Sequence, residues 1–240
     1  MKIAKAERFI DYLAIVAAPI ALGALILSWS PARNFAESDP SANGYVAPRD
    51  LGNIISKSQD STVIVECEQK KGSFGSGWAI DKKNLNFRLA NNNSSFIITA
   101  QHVVRNCLNS KKLNIYSVGS EKPMTGYLVS WNKEKDLALI STQLKLKPLK
   151  ISNWSPLEGY WVMAIGAPEA YEASVTIGYV MNYTNEDLFF TAQISEGSSG
   201  GPLVDNEGNV VGTVTASAIG ADFNIATSLE NMCDGFIVCD

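Results

Sequence analysis

From residue 51 onward, short runs of apolar and alternating residues are divided by clusters of Gly, Asn, Asp and Ser. Short apolar or alternating runs closed by turn residues read as β-strands. The pattern predicts strands at 62–67, 75–80, 96–99, 113–116, 125–129, 137–141, 161–165, 174–181, 188–192, 202–204, 210–215 and 223–226. Helical periodicity is scarce, and its best stretches are 50–56 and a single turn after Ala100. Residues 82–95 are Asn-rich and read as a hairpin loop. Twelve regularly spaced strands predict an all-β domain, a sandwich or barrels, over 51–240. No tandem repeat is visible in the sequence.

The first 33 residues follow another pattern. Lys2, Lys5 and Arg8 precede an uncharged run, and Tyr12 to Ser30 spans 19 residues. As a helix that is roughly 28 Å, about one bilayer core. Pro19 is tolerated in a membrane helix, and Tyr12 and Trp29 suit the two interfaces. The basic flank predicts a cytoplasmic N-terminus and an extracytoplasmic remainder, periplasmic or extracellular. The run is long for a signal peptide, which favours an uncleaved anchor. A cleaved signal is the competing reading, since Ala32 and Ala36 end small-residue stretches, and it would give a secreted protein. A buried core helix is the third reading. Residues 34–50, rich in Pro, Ser, Asn and Gly, read as a linker.

Composition narrows the function. A chain of 240 residues, 46% hydrophobic and 18% charged, has a globular rather than a disordered composition. It carries 20 Lys and Arg against 24 Asp and Glu. With no basic run and no aromatic–Arg interleaving, nucleic acid is not an expected partner. One histidine and four cysteines without a CxxC pair argue against a His-based metal site or a zinc ribbon. No metal or cofactor is expected.

The stretch Glu196-Gly197-Ser198-Ser199-Gly200-Gly201-Pro202 carries the candidate chemistry. Glycines let the backbone reach conformations closed to other residues. Such a turn can gather N–H groups beside a hydroxyl, the arrangement of an oxyanion hole next to a nucleophile. Read alone, it also fits a Gly/Ser-rich surface turn. The one histidine, His102, directly follows an apolar strand, and a neutral imidazole is the usual acceptor of a serine proton. An orienting acid is then required. Only Asp136 and Asp187 are aspartates between His102 and Ser199. Asp136 stands at the mouth of an apolar strand and is preferred. Asp187 falls in a hairpin turn. Gly197-x-Ser199-x-Gly201 also fits the nucleophile elbow of α/β-hydrolases, but that fold needs a histidine after the serine, and none follows Ser199.

Thr99-Ala100-Gln101-His102-Val103-Val104, Asp136-Leu137-Ala138-Leu139-Ile140 and Gly197-Ser198-Ser199-Gly200-Gly201-Pro202-Leu203-Val204 resemble the three motifs of chymotrypsin-fold (S1-type) serine proteases. The likeness is greatest to the HtrA/Deg branch. Gly75-Ser76-Gly77-Trp78 resembles that branch's Gly-Ser-Gly segment, and 208–216 and 223–228 resemble its last strands. The resemblance implies two six-stranded antiparallel β-barrels with the site in the cleft between them. It implies Ser199 as nucleophile, His102 as general acid–base and Asp136 as orienting carboxylate. It implies an oxyanion hole made by the N–H groups of Gly197 and Ser199.

By the same alignment Gln193, Ile194, Thr215, Ala216 and Ser217 line the P1 pocket. None is charged, so a small neutral P1 side chain is expected and a basic one is not. Ser198 stands where trypsin-type zymogens carry an aspartate, which argues against that activation switch. No PDZ domain of the kind many HtrA proteins carry is expected within these residues. The position of the cysteines in an exported domain suggests Cys67–Cys107 and Cys233–Cys239 among three possible connectivities. The reading is a membrane-tethered serine endopeptidase acting on proteins or peptides. The alternatives are a protease-fold peptide-binding or sensor module with an idle site, and a serine esterase.

Overall fold

Strands form at every position the sequence pattern marks. The computed structural model describes residues 47–68, 72–86, 95–167, 173–217, 222–233 and 235–239. The expected anchor, the linker up to residue 46 and residues 87–94 of the expected hairpin loop lie outside them. Among the described residues no helix is long and apolar enough to cross a membrane.

The first six strands are β1 (Thr62–Cys67), β2 (Ser73–Ile80), β3 (Ser95–Ala100), β4 (Lys112–Ser117), β5 (Met124–Asn132) and β6 (Leu137–Thr142). They close into an antiparallel barrel in the order β1-β2-β3-β6-β5-β4. The other six are β7 (Trp161–Gly166), β8 (Ser174–Tyr183), β9 (Asp187–Phe190), β10 (Pro202–Val204), β11 (Val210–Ser217) and β12 (Asn224–Ser228). They close a second barrel in the corresponding order β7-β8-β9-β12-β11-β10. Closure removes the free sheet edges that would otherwise recruit other chains.

Three short α-helices and two 3-10 turns, Lys82–Asn84 and Arg105–Cys107, lie among the described residues. Helix α1 (Leu51–Ser61) is capped by Asp50, whose carboxylate accepts the Asn53 N–H at 3.3 Å. It outruns the expected helical stretch 50–56, since neither Gly nor Pro occurs between Ser56 and Ser61. Helix α2 (Gln101–Val104) is the turn expected after Ala100. Helix α3 (Leu229–Cys233) was not expected.

Three apolar clusters hold these elements. Val65, Ile97, Ile115, Leu128 and Ile140 fill the first barrel. Val162, Val180, Phe190, Leu203 and Val214 fill the second. The largest cluster lies between the barrels, where Trp78, Phe96, Ile98, Leu137 and Leu139 of the first meet Trp161, Met163, Ile165, Val204 and Val210 of the second. Strands β6 and β7 therefore bury both faces. Leu137 and Leu139 face the shared core while Ala138 and Ile140 face the barrel interior. That is why these strands read as uninterrupted apolar runs rather than alternations. Across the seam the Trp78 indole N–H donates to the Thr213 hydroxyl at 3.1 Å.

Two disulfides close the structure as the cysteine positions suggested. Cys67–Cys107 joins the end of β1 to the turn after α2, with Cα atoms 5.9 Å apart. Cys233–Cys239, with Cα atoms 5.5 Å apart, ties α3 to the C-terminal segment. That segment returns to the first barrel, where Ile237 bridges to Leu85 and Val238 donates its N–H to Asn84 at 2.8 Å.

Candidate active site

His102 and Asp136 come from the first barrel and Ser199 from the second. His102 lies on α2, directly after β3, and Asp136 closes the turn that opens β6. That turn bends sharply: Asp136 has φ +49°, a left-handed conformation that aspartate tolerates better than most residues. Its carboxylate meets His102 twice. Oδ1 accepts the His102 backbone N–H at 2.9 Å, and Oδ2 lies 2.7 Å from Nδ1. The Gln101 N–H in turn donates to the Asp136 carbonyl at 3.0 Å. A carboxylate on Nδ1 fixes the proton there and leaves Nε2 as the acceptor. The pair is partly open to solvent, His102 by 37% and Asp136 by 29% of the side chain.

Asp187, the other aspartate considered, opens β9 in the second barrel opposite Thr227. Its N–H is bound by the Thr184 hydroxyl at 2.9 Å. Burial, with a contribution from Glu186, pushes its carboxyl above the usual range. The carboxylate on His102 is that of Asp136.

Ser199 sits on the loop before β10, where Gly197 (φ +96°) and Gly200 (φ +88°) take the left-handed backbone that only glycine adopts freely. A side chain at Gly200 would collide with the carbonyl of Ser76 and the hydroxyl of Thr99, and one at Gly197 with the carbonyl of Ala167. The loop thus lies flat against both barrels. Its turn is held by Ser198 N–H to Ser195 C=O at 3.0 Å, Gly201 N–H to Ser198 C=O at 3.1 Å and Gly200 N–H to Val214 C=O at 2.7 Å. Among the described residues the N–H groups of Gly197 and Ser199 donate to no protein acceptor. The Ser199 hydroxyl donates to the Thr215 carbonyl at 3.0 Å. Thr215 falls at a bulge in β11, where the pairing with β12 shifts between Val214 and Ala216. Bulges beside a site re-aim a residue out of the ladder.

Gly75 brings the two halves together. A Cβ there would press on both Val103, the neighbour of His102, and the carbonyl of Ser199. Only a glycine leaves room for the helix of His102 and the loop of Ser199 to approach from opposite sides. The next residue, Ser76, donates its backbone N–H to the Ser199 carbonyl at 2.7 Å. The sequence pattern offered Gly75-Ser76-Gly77 as a recognisable segment but gave no sign of this link.

Of the five residues expected to line a substrate pocket, Gln193 and Ile194 border a cavity of about 210 Å³ with Ser195, Ser198 and Val214. Its remaining walls are residues of β7 and β8. Thr215 is not among the residues lining it. Ala216 and Ser217 continue β11.

The same segments carry the likeness to known proteins. Residues 75–212 match the family described as the Trypsin-like peptidase domain. The chloroplastic Protease Do-like 8 of Arabidopsis thaliana is 32% identical over 141 residues, 48% of this chain and 31% of that protein. The mitochondrial serine protease HTRA2 of Drosophila grimshawi is 28% identical over 205 residues, 75% of this chain and 45% of that protein. The chain thus spans about a third to a half of the length of these curated relatives. Among solved structures, a serine endoprotease from Yersinia pestis superposes with a TM-score of 0.63 at 23% identity, over 76% of this chain and 64% of that one. At that identity the likeness speaks for the fold.

Proposed function

Because the chain belongs to the family of trypsin-like peptidase domains, we propose that it is a serine endopeptidase that cleaves peptide bonds through an acyl-enzyme. The single observation that carries this reading is the double contact of Asp136 with His102, at 2.9 and 2.7 Å. In it, Nδ1 keeps its proton on Asp136 and Nε2 is left to take the proton of Ser199. The hydroxyl leaves the Thr215 carbonyl, gives its proton to Nε2, and its oxygen attacks the scissile carbonyl. The oxyanion that forms is met by the N–H groups of Gly197 and Ser199. His102, now protonated, gives its proton to the leaving amine, and water repeats the sequence to free the enzyme.

A small neutral P1 residue suits the uncharged border that Gln193 and Ile194 contribute. A peptide-library profile led by Val or Ala is expected, and one led by Arg, Lys or Asp would refute the specificity. We also propose that residues 12–30 anchor the chain in a membrane with the protease domain outside the cytoplasm. Support comes from the apolar run and its basic flank. Intact protein then stays in the membrane fraction through carbonate washing, whereas a soluble form starting near Arg33 or Glu37 marks a cleaved signal.

The reaction itself is tested with a fluorophosphonate probe on the purified chain. Ser199 is labelled and its neighbour Ser198 is not, and Ser199→Ala removes both labelling and turnover. A wild type that neither labels nor cleaves an unfolded protein, yet binds peptides, is a binding module instead.

A further inference from the structure

We infer that Ser76 is a positioning residue for the oxyanion hole, an inference that rests on the protease reading above. Ser76 belongs to β2 of the first barrel and is fully buried. Its hydroxyl donates to the Gly197 carbonyl at 2.7 Å and accepts the Ala167 N–H at 2.8 Å. Its backbone N–H donates to the Ser199 carbonyl at 2.7 Å, and its own carbonyl accepts the Thr99 hydroxyl at 2.6 Å. One residue of the first barrel thus grips the nucleophile loop of the second at two carbonyls, on either side of the Ser198–Ser199 peptide.

The grip acts at a residue without a side chain. Gly197 must be glycine, because a side chain there would collide with the Ala167 carbonyl. The same lack of a side chain lets its peptide groups rotate at little steric cost. An oxyanion hole needs both N–H groups aimed at one point, 2.7–3.1 Å away. A rotation about Gly197 would turn that N–H away. The Ser76 hydroxyl, itself anchored by the Ala167 N–H, fixes the Gly197–Ser198 peptide, the unit that joins the two peptides carrying those N–H groups. Among the described residues the hydrogen bonds of the Ser76 hydroxyl go to backbone groups, so its effect on the reaction runs through the peptide it holds.

A purely structural role would cost stability without touching the transition state, and Thr142 supplies the control. Its buried hydroxyl also donates to a carbonyl, that of Thr125 at 3.1 Å, and accepts an N–H, that of Leu144 at 3.3 Å. It lies in β6 with no link to Gly197. The experiment compares the wild type, Ser76→Ala and Thr142→Ala as full chains, below the melting temperature of each. The readouts are kcat and KM on a peptide anilide with Val at P1, and Ki for the matching peptide aldehyde, which forms a tetrahedral adduct with the serine.

Ser76→Ala lowers kcat about 100-fold with KM unchanged, and weakens the aldehyde by a similar factor. Thr142→Ala lowers the melting temperature but keeps kcat and Ki. A Ser76→Ala enzyme that matches Thr142→Ala in kcat and Ki, or that changes only KM, overturns the inference while leaving the protease reading intact. A wild type that neither turns over nor takes a fluorophosphonate overturns both. Should Ser76→Ala fail to fold, Ser76→Cys is read in its place with the same outcomes at smaller size, since it keeps the shape and is a poorer donor.

Discussion

Asp136 shows what a single position contributes and what the sequence reveals of it. Its place beside His102 was legible from the apolar strand it opens. Its left-handed backbone was not, because nothing in an Asp-Leu pair prescribes φ. Asp136→Asn keeps the turn and the backbone contact to His102 but favours the wrong imidazole tautomer. A loss on the order of 10⁴ in kcat is expected, by analogy with the aspartate of the chymotrypsin-like triad. A crippling Asp187→Asn beside a mild Asp136→Asn would reverse the assignment.

Asp205 is the residue of interest outside the site. It is buried in the turn between β10 and β11, where Oδ1 accepts the N–H groups of Glu207 and Asn209, each at 2.9 Å. Burial pushes its carboxyl up, against the lowering effect of those two N–H bonds and of the Ser152 hydroxyl. A carboxyl whose folded pKa is raised binds its proton more tightly in the native state. Its contribution to stability is therefore lost as pH rises from the unfolded value through the folded one. Asp205→Asn keeps the acceptor and removes the charge. Relative to wild type the variant should gain stability as pH rises through that window. Urea denaturation at acid and neutral pH measures it, and a gain confined to acid would contradict the sign.

At the scale of elements, the strands were legible because each is a short apolar run bounded by turn residues. The errors lie where packing decides. Helix α3 has five residues, too few to display a helical period, and it exists because Leu229 and Met232 reach the shared core. The bulge at Thr215 was equally silent, since the composition of β11 is that of any strand. The disulfides were legible in pairing, but their weights follow from the loops they close. Cys67–Cys107 spans 40 residues and Cys233–Cys239 spans 6. If constraint of the unfolded chain dominates, the first contributes about 4 kcal/mol and the second about 2 kcal/mol. Thermal melts of Cys67→Ser/Cys107→Ser and Cys233→Ser/Cys239→Ser should rank in that order. The reverse order would mean that the C-terminal segment, which packs Ile237 against Leu85, matters more through its contacts than through loop closure.

The whole molecule repeats one barrel topology twice without a repeated sequence. Barrel closure asks only for six strands with inward apolar side chains, and many sequences satisfy it. The internal correspondence therefore had no signature to find, whereas the three motifs were visible because chemistry fixes residue types. The shared core between the barrels was hidden for a related reason: strands buried on both faces lose the alternation that would say which face points where. That core makes a prediction about the molecule as a unit. Trp78 is fully buried at the seam and bonded to Thr213, whose hydroxyl also donates to the Met232 sulfur at 3.3 Å. Neither barrel keeps these groups covered if the other melts, so the two should unfold in one transition, with loss of activity and of near-ultraviolet dichroism coinciding. Trp78→Phe removes the indole donor and part of the packing, a cost of about 1–3 kcal/mol. That should lower the melting temperature by about 2–4 °C per kcal/mol for a domain of this size. The whole transition should move and stay single. A separate early step, with one barrel retaining its signal, would show that the barrels are stable apart and that the seam only positions the site.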